Sequence, residues 1–129
     1  MRRPRRELLH SRQEGQEERH HLYEESAGQI SIAERSMGPV TSAVFGMPLH
    51  RHRILMEKGL VGRLVELLGG TEGEGTTVSL ARYFEEGHCL LDLEDAMDRA
   101  GLPYAYEAQR SGYVIFRPSG EELRLALDA

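Results

Sequence analysis

Thr76–Pro118 reads TTVSLARYFEEGHCLLDLEDAMDRAGLPYAYEAQRSGYVIFRP, and how this stretch is read decides the fold. Leu80, Ala81 and Phe84 form an i, i+1, i+4 stripe that Gly87 stops, so residues 77–86 read as a helix. Leu90, Leu91, Leu93, Ala96, Met97 and Ala100 line one side of a second helix over 90–100, which Gly101 ends. Asp92, Glu94, Asp95, Asp98 and Arg99 are left outward, with Asp92 near the positive end of the helix. Beyond it Tyr104, Tyr106 and Ala108 alternate with Ala105 and Glu107. Tyr113, Ile115 and Arg117 then alternate with Val114 and Phe116. The two runs flank Arg110-Ser111-Gly112 and predict a hairpin over 103–118. Val78, Leu80 and Phe84 also fit a strand. Were 78–84 extended, the unit would become a βαββ ferredoxin-like half that pairs into a dimer.

Upstream, LVGRLVELLGG places Leu60, Val61, Leu64, Val65, Leu67 and Leu68 on one broad face, a helix over 60–68 ended by Gly69-Gly70. Downstream, Ser119 and Glu122 have capping-box spacing, which predicts a C-terminal helix over 119–127. Residues 40–45, VTSAVF, are β-branched and alternate, a short strand stopped by Gly46 and Pro48. HRHRILMEKG fits either period. If it is extended, His50 and His52 share a face with Ile54, and Arg51 and Arg53 take the other. Paired imidazoles at this spacing can bind a metal, but no third ligand of matching spacing follows, so they read as solvated and no metal is assigned. Residues 1–36 are rich in Arg, Glu, Gln and His and show no sustained period. They read as a disordered charged tail, or as sequence upstream of a start at Met37 or Met47. Residues 37–129 then form a single small α+β domain.

The chain has 129 residues, 29% charged and 40% apolar, with no Trp and three Phe, so its core is small. Its net charge of −5 is uneven, +2 over residues 1–60 and −7 over 61–129. An acidic domain forgoes the phosphate attraction that dominates nucleic-acid affinity, which disfavours nucleic acid as a partner. No apolar run is long enough for a membrane span, and the basic start lacks the apolar region of a secretory signal. The single Cys89 forms no intrachain disulfide and fits a reducing, cytoplasmic setting.

The order helix 60–68, helix 77–86, helix 90–100, hairpin 103–118 resembles a winged helix-turn-helix domain, most clearly in SLARYFEEGHCLLDLEDAMDRAGLPY. The resemblance implies that the 90–100 helix enters the major groove and the hairpin touches the backbone, with His88, Asp92, Arg99 and Arg110 at the contact. Asp92, Glu94, Asp95 and Asp98 oppose phosphate, so the same surface suits a protein partner better. A shorter stretch, FGMPLHRHRI, is similar to the F-G-x-P-x-x-R-x-R motif of cytosine-5 DNA methyltransferases through Phe45, Gly46, Pro48, Arg51 and Arg53. It implies that Arg51 and Arg53 make basic contacts. The glycine-rich cofactor loop and Pro-Cys nucleophile are missing, which leaves at most a remnant of a DNA-modifying enzyme. Cys89 neighbours His88 in sequence, and adjacent side chains point apart in regular structure, so no activated nucleophile is expected. No cofactor signature is present. The expectation is therefore a non-catalytic domain that binds a macromolecule, a regulator or inhibitor-like accessory protein. It would act through an acidic helix that carries Asp92, Glu94, Asp95 and Asp98, on a protein partner or a second copy of itself.

Overall fold

The computed structural model describes the backbone of residues 5–71, 73–110, 113–116 and 123–126, and the side chains of these through Ala108. The fold is mixed α+β. Among the described residues seven strands join in chain order into one sheet, each antiparallel to its neighbour. The strands are β1 (Arg5–Glu14), β2 (Glu17–Ser26), β3 (Gln29–Met37), β4 (Leu49–Glu57), β5 (Ala105–Arg110), β6 (Tyr113–Phe116) and β7 (Leu123–Ala126). Four helices interrupt the meander: α1 (Pro39–Phe45), α2 (Val61–Leu67), α3 (Thr76–Glu85) and α4 (Leu90–Ala100).

Three of the expected helices are present with nearly the expected limits, and residues 78–84 are helical. The hairpin β5–β6 also forms, but it continues the sheet, since β5 pairs with β4 and β6 with β7.

The N-terminal reading is corrected. Residues 5–36 are no tail: β1, β2 and β3 supply three of the strands, and β3 carries Ile30 and Ile32 into the core at 1% and 0% exposure. The alternation was masked because the buried positions next along this face are His21 and Glu34, polar residues that break an apolar period. Residues 40–45 are helical, not extended. Pro39 sits in the first turn, and the Glu17 carboxylate accepts the amides of Val40 (2.9 Å) and Thr41 (3.1 Å) and the Thr41 hydroxyl proton. Gly46 closes the helix in the left-handed conformation, so a long-range cap from Glu17 at one end and Gly46 at the other override β-propensity. The predicted C-terminal helix is likewise replaced where it can be seen. Leu123–Ala126 is a strand on β6, because the open strand edge offers hydrogen-bond partners to alternate backbone groups of a two-residue-period segment. Residues 119–122 and 127–129 lie outside the described residues.

The four helices share one face of the sheet. Phe84 of α3 stacks on His21 of β2, Phe45 of α1 stacks on His50 of β4, and the Leu90 amide of α4 reaches Glu34 of β3. Strand side chains on that face form cross-strand rows. Tyr23, Ile32, Ile54 and Tyr106 lie opposite one another, and Leu64, Leu80, Phe84, Leu90, Leu93 and Met97 pack onto the same core from the helices. Each such fully buried aliphatic side chain contributes about 1.5–3 kcal/mol. The opposite face carries no described helix. The free edge at β1 is long, but it holds charged residues and a bulge between Leu8 and His10, features that discourage edge-to-edge pairing.

Candidate functional site

Strand alternation sorts the polar residues of the sheet into two sets. On the helix side, one row reads His10, His21, Glu34, His52 from β1 to β4. Glu34 is only 8% exposed. Its Oε1 accepts from His21 Nε2 at 2.9 Å and from the Leu90 amide at 3.1 Å, and His52 Nε2 stands 3.8 Å from Oε2. Burial alone would raise its pKa. The hydrogen bonds from His21 and Leu90, with the charges of His52 and His21, outweigh that and hold it at about 2. An ionised carboxylate only accepts, so Nε2 of His21 carries the proton. Burial lowers His52 to about 4 against the pull of Glu34, so at neutral pH the row contains one fixed negative charge beside an uncharged His52. The solvated reading of the β4 histidines is thereby corrected. His50 is 6% exposed and stacked on Phe45 at 3.7 Å, because β4 runs extended and aims even-numbered residues at the core. Among the described residues, no group of three or more His, Cys, Asp or Glu side chains is arranged to hold a metal ion.

The helix α4 starts on this row. Cys89 is its N-cap, and its backbone amide donates to Asp92 at 2.9 Å. Glu34 meets the next amide, so one carboxylate from the helix and one from the sheet satisfy the exposed donors of the first turn. Of the residues expected on the outer face, Asp92, Asp95 and Arg99 are exposed and Asp98 is half-buried. Glu94 is not on the outer face. On the helical wheel it falls at the flank of the buried stripe, next to Leu90 and Met97, and is 1% exposed. His88 stacks on Tyr83 at 4.0 Å, and Cys89 Sγ faces Asp92 at 3.4 Å, with burial pushing the thiol pKa up. Nothing here activates Cys89. Arg51 and Arg53 lie across the sheet from it, on the strand face opposite Ile54 and His52, so these three residues do not share a pocket. The backbone of Arg110 ends β5, and its side chain lies outside the described residues.

The second set lies on the uncovered face. A groove of about 540 Å³ runs over it, lined by Arg6, Arg35, Arg51 and Arg53 among shorter side chains that include Leu22 and Ala33. Two of the arginines are neutralised: Arg6 pairs with Glu24 at 3.3 Å and Arg53 with Glu107 at 3.2 Å. Arg35 and Arg51 lie directly opposite each other in the β3–β4 ladder. The sequence pattern pairs Arg51 with Arg53 and offers Arg6 only as part of a solvated basic tail, and it gives no sign of Arg35. The only signal that could have placed Arg6 and Arg35 here was the odd–even alternation of β1 and β3, hidden inside a segment without an apolar period. Neither a family model, nor a curated protein, nor a solved structure matches this chain.

Proposed function

We propose that this chain is a non-catalytic binding domain, a regulator or inhibitor-like accessory protein, and that the uncovered sheet face receives an acidic segment of a protein partner. One observation carries the reading: all described helices sit on one side of the sheet, and the other side presents four arginines along one groove between apolar side chains. A guanidinium pairs with carboxylates through a planar fork of donors, and its weak hydration suits interfaces. Single-stranded nucleic acid is the poorer fit. Proteins that bind it stack bases on aromatic rings, and among the described strand side chains Tyr23 and Tyr106 point to the helix side. Duplex DNA meets the −5 net charge of the chain.

The acidic helix supports the same class of function from the other side of the molecule. Leu91 is 54% exposed on α4, next to Asp92 and one turn from Asp95, a small apolar point beside two exposed carboxylates. The winged-helix resemblance belongs here too. Its order of helices and hairpin is kept, but the exposed carboxylates of α4 oppose a phosphate backbone.

The test is an anisotropy titration of the full chain with a fluorescent Glu-rich peptide, a single-stranded oligonucleotide and a duplex at low salt. The peptide is expected to bind saturably and weaken with salt, and to be insensitive to Asp92→Asn with Asp95→Asn. Tighter binding of either nucleic acid, or no saturable peptide binding, overturns the reading.

A further inference from the structure

We infer that Arg35 and Arg51 form an oxyanion-binding site on the uncovered sheet face. The inference rests on the reading of that face as the binding surface and gives it a ligand chemistry. The two residues are direct partners in the β3–β4 ladder. Like charges opposite one another on neighbouring strands destabilise a sheet, so the free protein holds this pair at a cost. The sheet has solved the same problem elsewhere with carboxylates: Arg6 has Glu24 and Arg53 has Glu107. Among the described residues, Arg35 and Arg51 have no such counter-charge. His20, opposite Arg35 on β2, is already engaged by Ser11 at 3.0 Å and faces Glu18 at 3.6 Å.

A second observation points the same way. The Nε of Arg35 is buried and has no acceptor among the described residues. A buried donor without a partner is uncommon and costly, so a rearrangement of this half-buried side chain that gives the guanidinium an acceptor in the groove is favoured. Arg35 and Arg51 both line the groove, so an oxygen acid lying in it meets two guanidinium forks at once. The ligand chemistry is a carboxylate or a phosphoryl group. Within the proposed function its sources are the Asp and Glu side chains of the partner or a phosphorylated residue beside them.

The experiment follows Arg Nε–H resonances of the full-length protein by nuclear magnetic resonance. Inorganic phosphate and succinate are titrated at constant ionic strength, with chloride as the balance. The expected result is saturable movement of the Arg35 and Arg51 signals, lost in Arg35→Gln and in Arg51→Gln but kept in Arg63→Gln, an exposed position on α2 outside the groove. Thermal unfolding gives an independent readout: Arg35→Gln and Arg51→Gln each melt at or above the parent temperature without phosphate and lose the phosphate-dependent increase, which the control keeps. Shifts that grow linearly with concentration, or that persist in both glutamine variants, overturn the site. With a Glu-rich peptide and its phosphoserine counterpart, affinity should fall roughly tenfold or more in each variant, and the tighter peptide names the source. Peptide binding indifferent to both substitutions overturns the site and leaves the face as a binding surface. Saturable phosphate binding without any peptide binding keeps the site and overturns the protein-partner reading.

Discussion

Glu34 shows how one side chain joins a sheet to a helix. It is a buried carboxylate whose charge is held by His21 and by the first turn of α4. Replacement by alanine strands both donors, each worth about 1–3 kcal/mol when buried without an acceptor. Chemical denaturation of Glu34→Ala should therefore show a loss of about 3 kcal/mol, with a smaller loss for Glu34→Gln. The same residue predicts acid sensitivity. Its folded pKa of about 2 lies below the ordinary 4.5, so its contribution is full above the ordinary value and is lost as pH falls from there towards 2. His52 acts in the same direction for a different reason. Its folded pKa of about 4 lies below the ordinary 6.5, so the unfolded chain takes up its proton first and stability declines as pH drops from 6.5 to 4. Stability measured against pH should stay flat with respect to these two groups above about 6.5 and fall in two overlapping steps below it. His52→Phe should remove the upper step. Gly38 is a second single-residue constraint. Its φ is +134°, and an added Cβ would meet Glu17 Oε2 at 2.5 Å and Glu17 Cα at 2.8 Å. Gly38→Ala should lower the melting temperature through a backbone strain of about 1–3 kcal/mol and loosen the cap on α1.

At the scale of elements, the strands nearest the start of the chain are structural. Their removal would uncover the β4 edge and take Tyr23, Ile30 and Ile32 from the core. A chain starting at Met37 should consequently lose cooperative unfolding and dispersed amide resonances, whereas a true tail could be removed without effect. The element most legible in sequence was α4. Its apolar spacing and Gly101 stop place it at 90–100, with Glu94 and Leu91 assigned to the wrong sides: Glu94 is buried and Leu91 exposed. Least legible was α1, where Val40, Thr41 and Val44 suggest a strand. The decisive partner, Glu17, lies far back in sequence and is brought close only by the β2–β3 pairing. The segment 123–126 had the same difficulty: a capping pattern is local, but the edge of β6 is not.

For the whole molecule, the distribution of charge over the two sheet faces matters more than its sum. A net −5 argues against polyanions on average, yet the uncovered face gathers Arg6, Arg35, Arg51 and Arg53 around one groove. Charge reversal at Arg35 and Arg51 should abolish binding of an acidic peptide and its salt dependence. Neutralising Asp92 and Asp95 on the far side should leave both unchanged. The amino-acid sequence by itself determined the α+β class, helices α2 and α4 and the β5–β6 hairpin, and it left open whether residues 78–84 are helical and whether His50–Arg53 are extended. What it determined depends on periods and stop signals read within about a dozen residues. Tertiary structure alone decided that residues 5–37 are strands and that α1 is a helix. It also decided that Glu34 is buried between two histidines, and that Arg35 faces Arg51. Each of these depends on partners from other elements, and which polar residues a buried face can accept is set by the groups that meet them there.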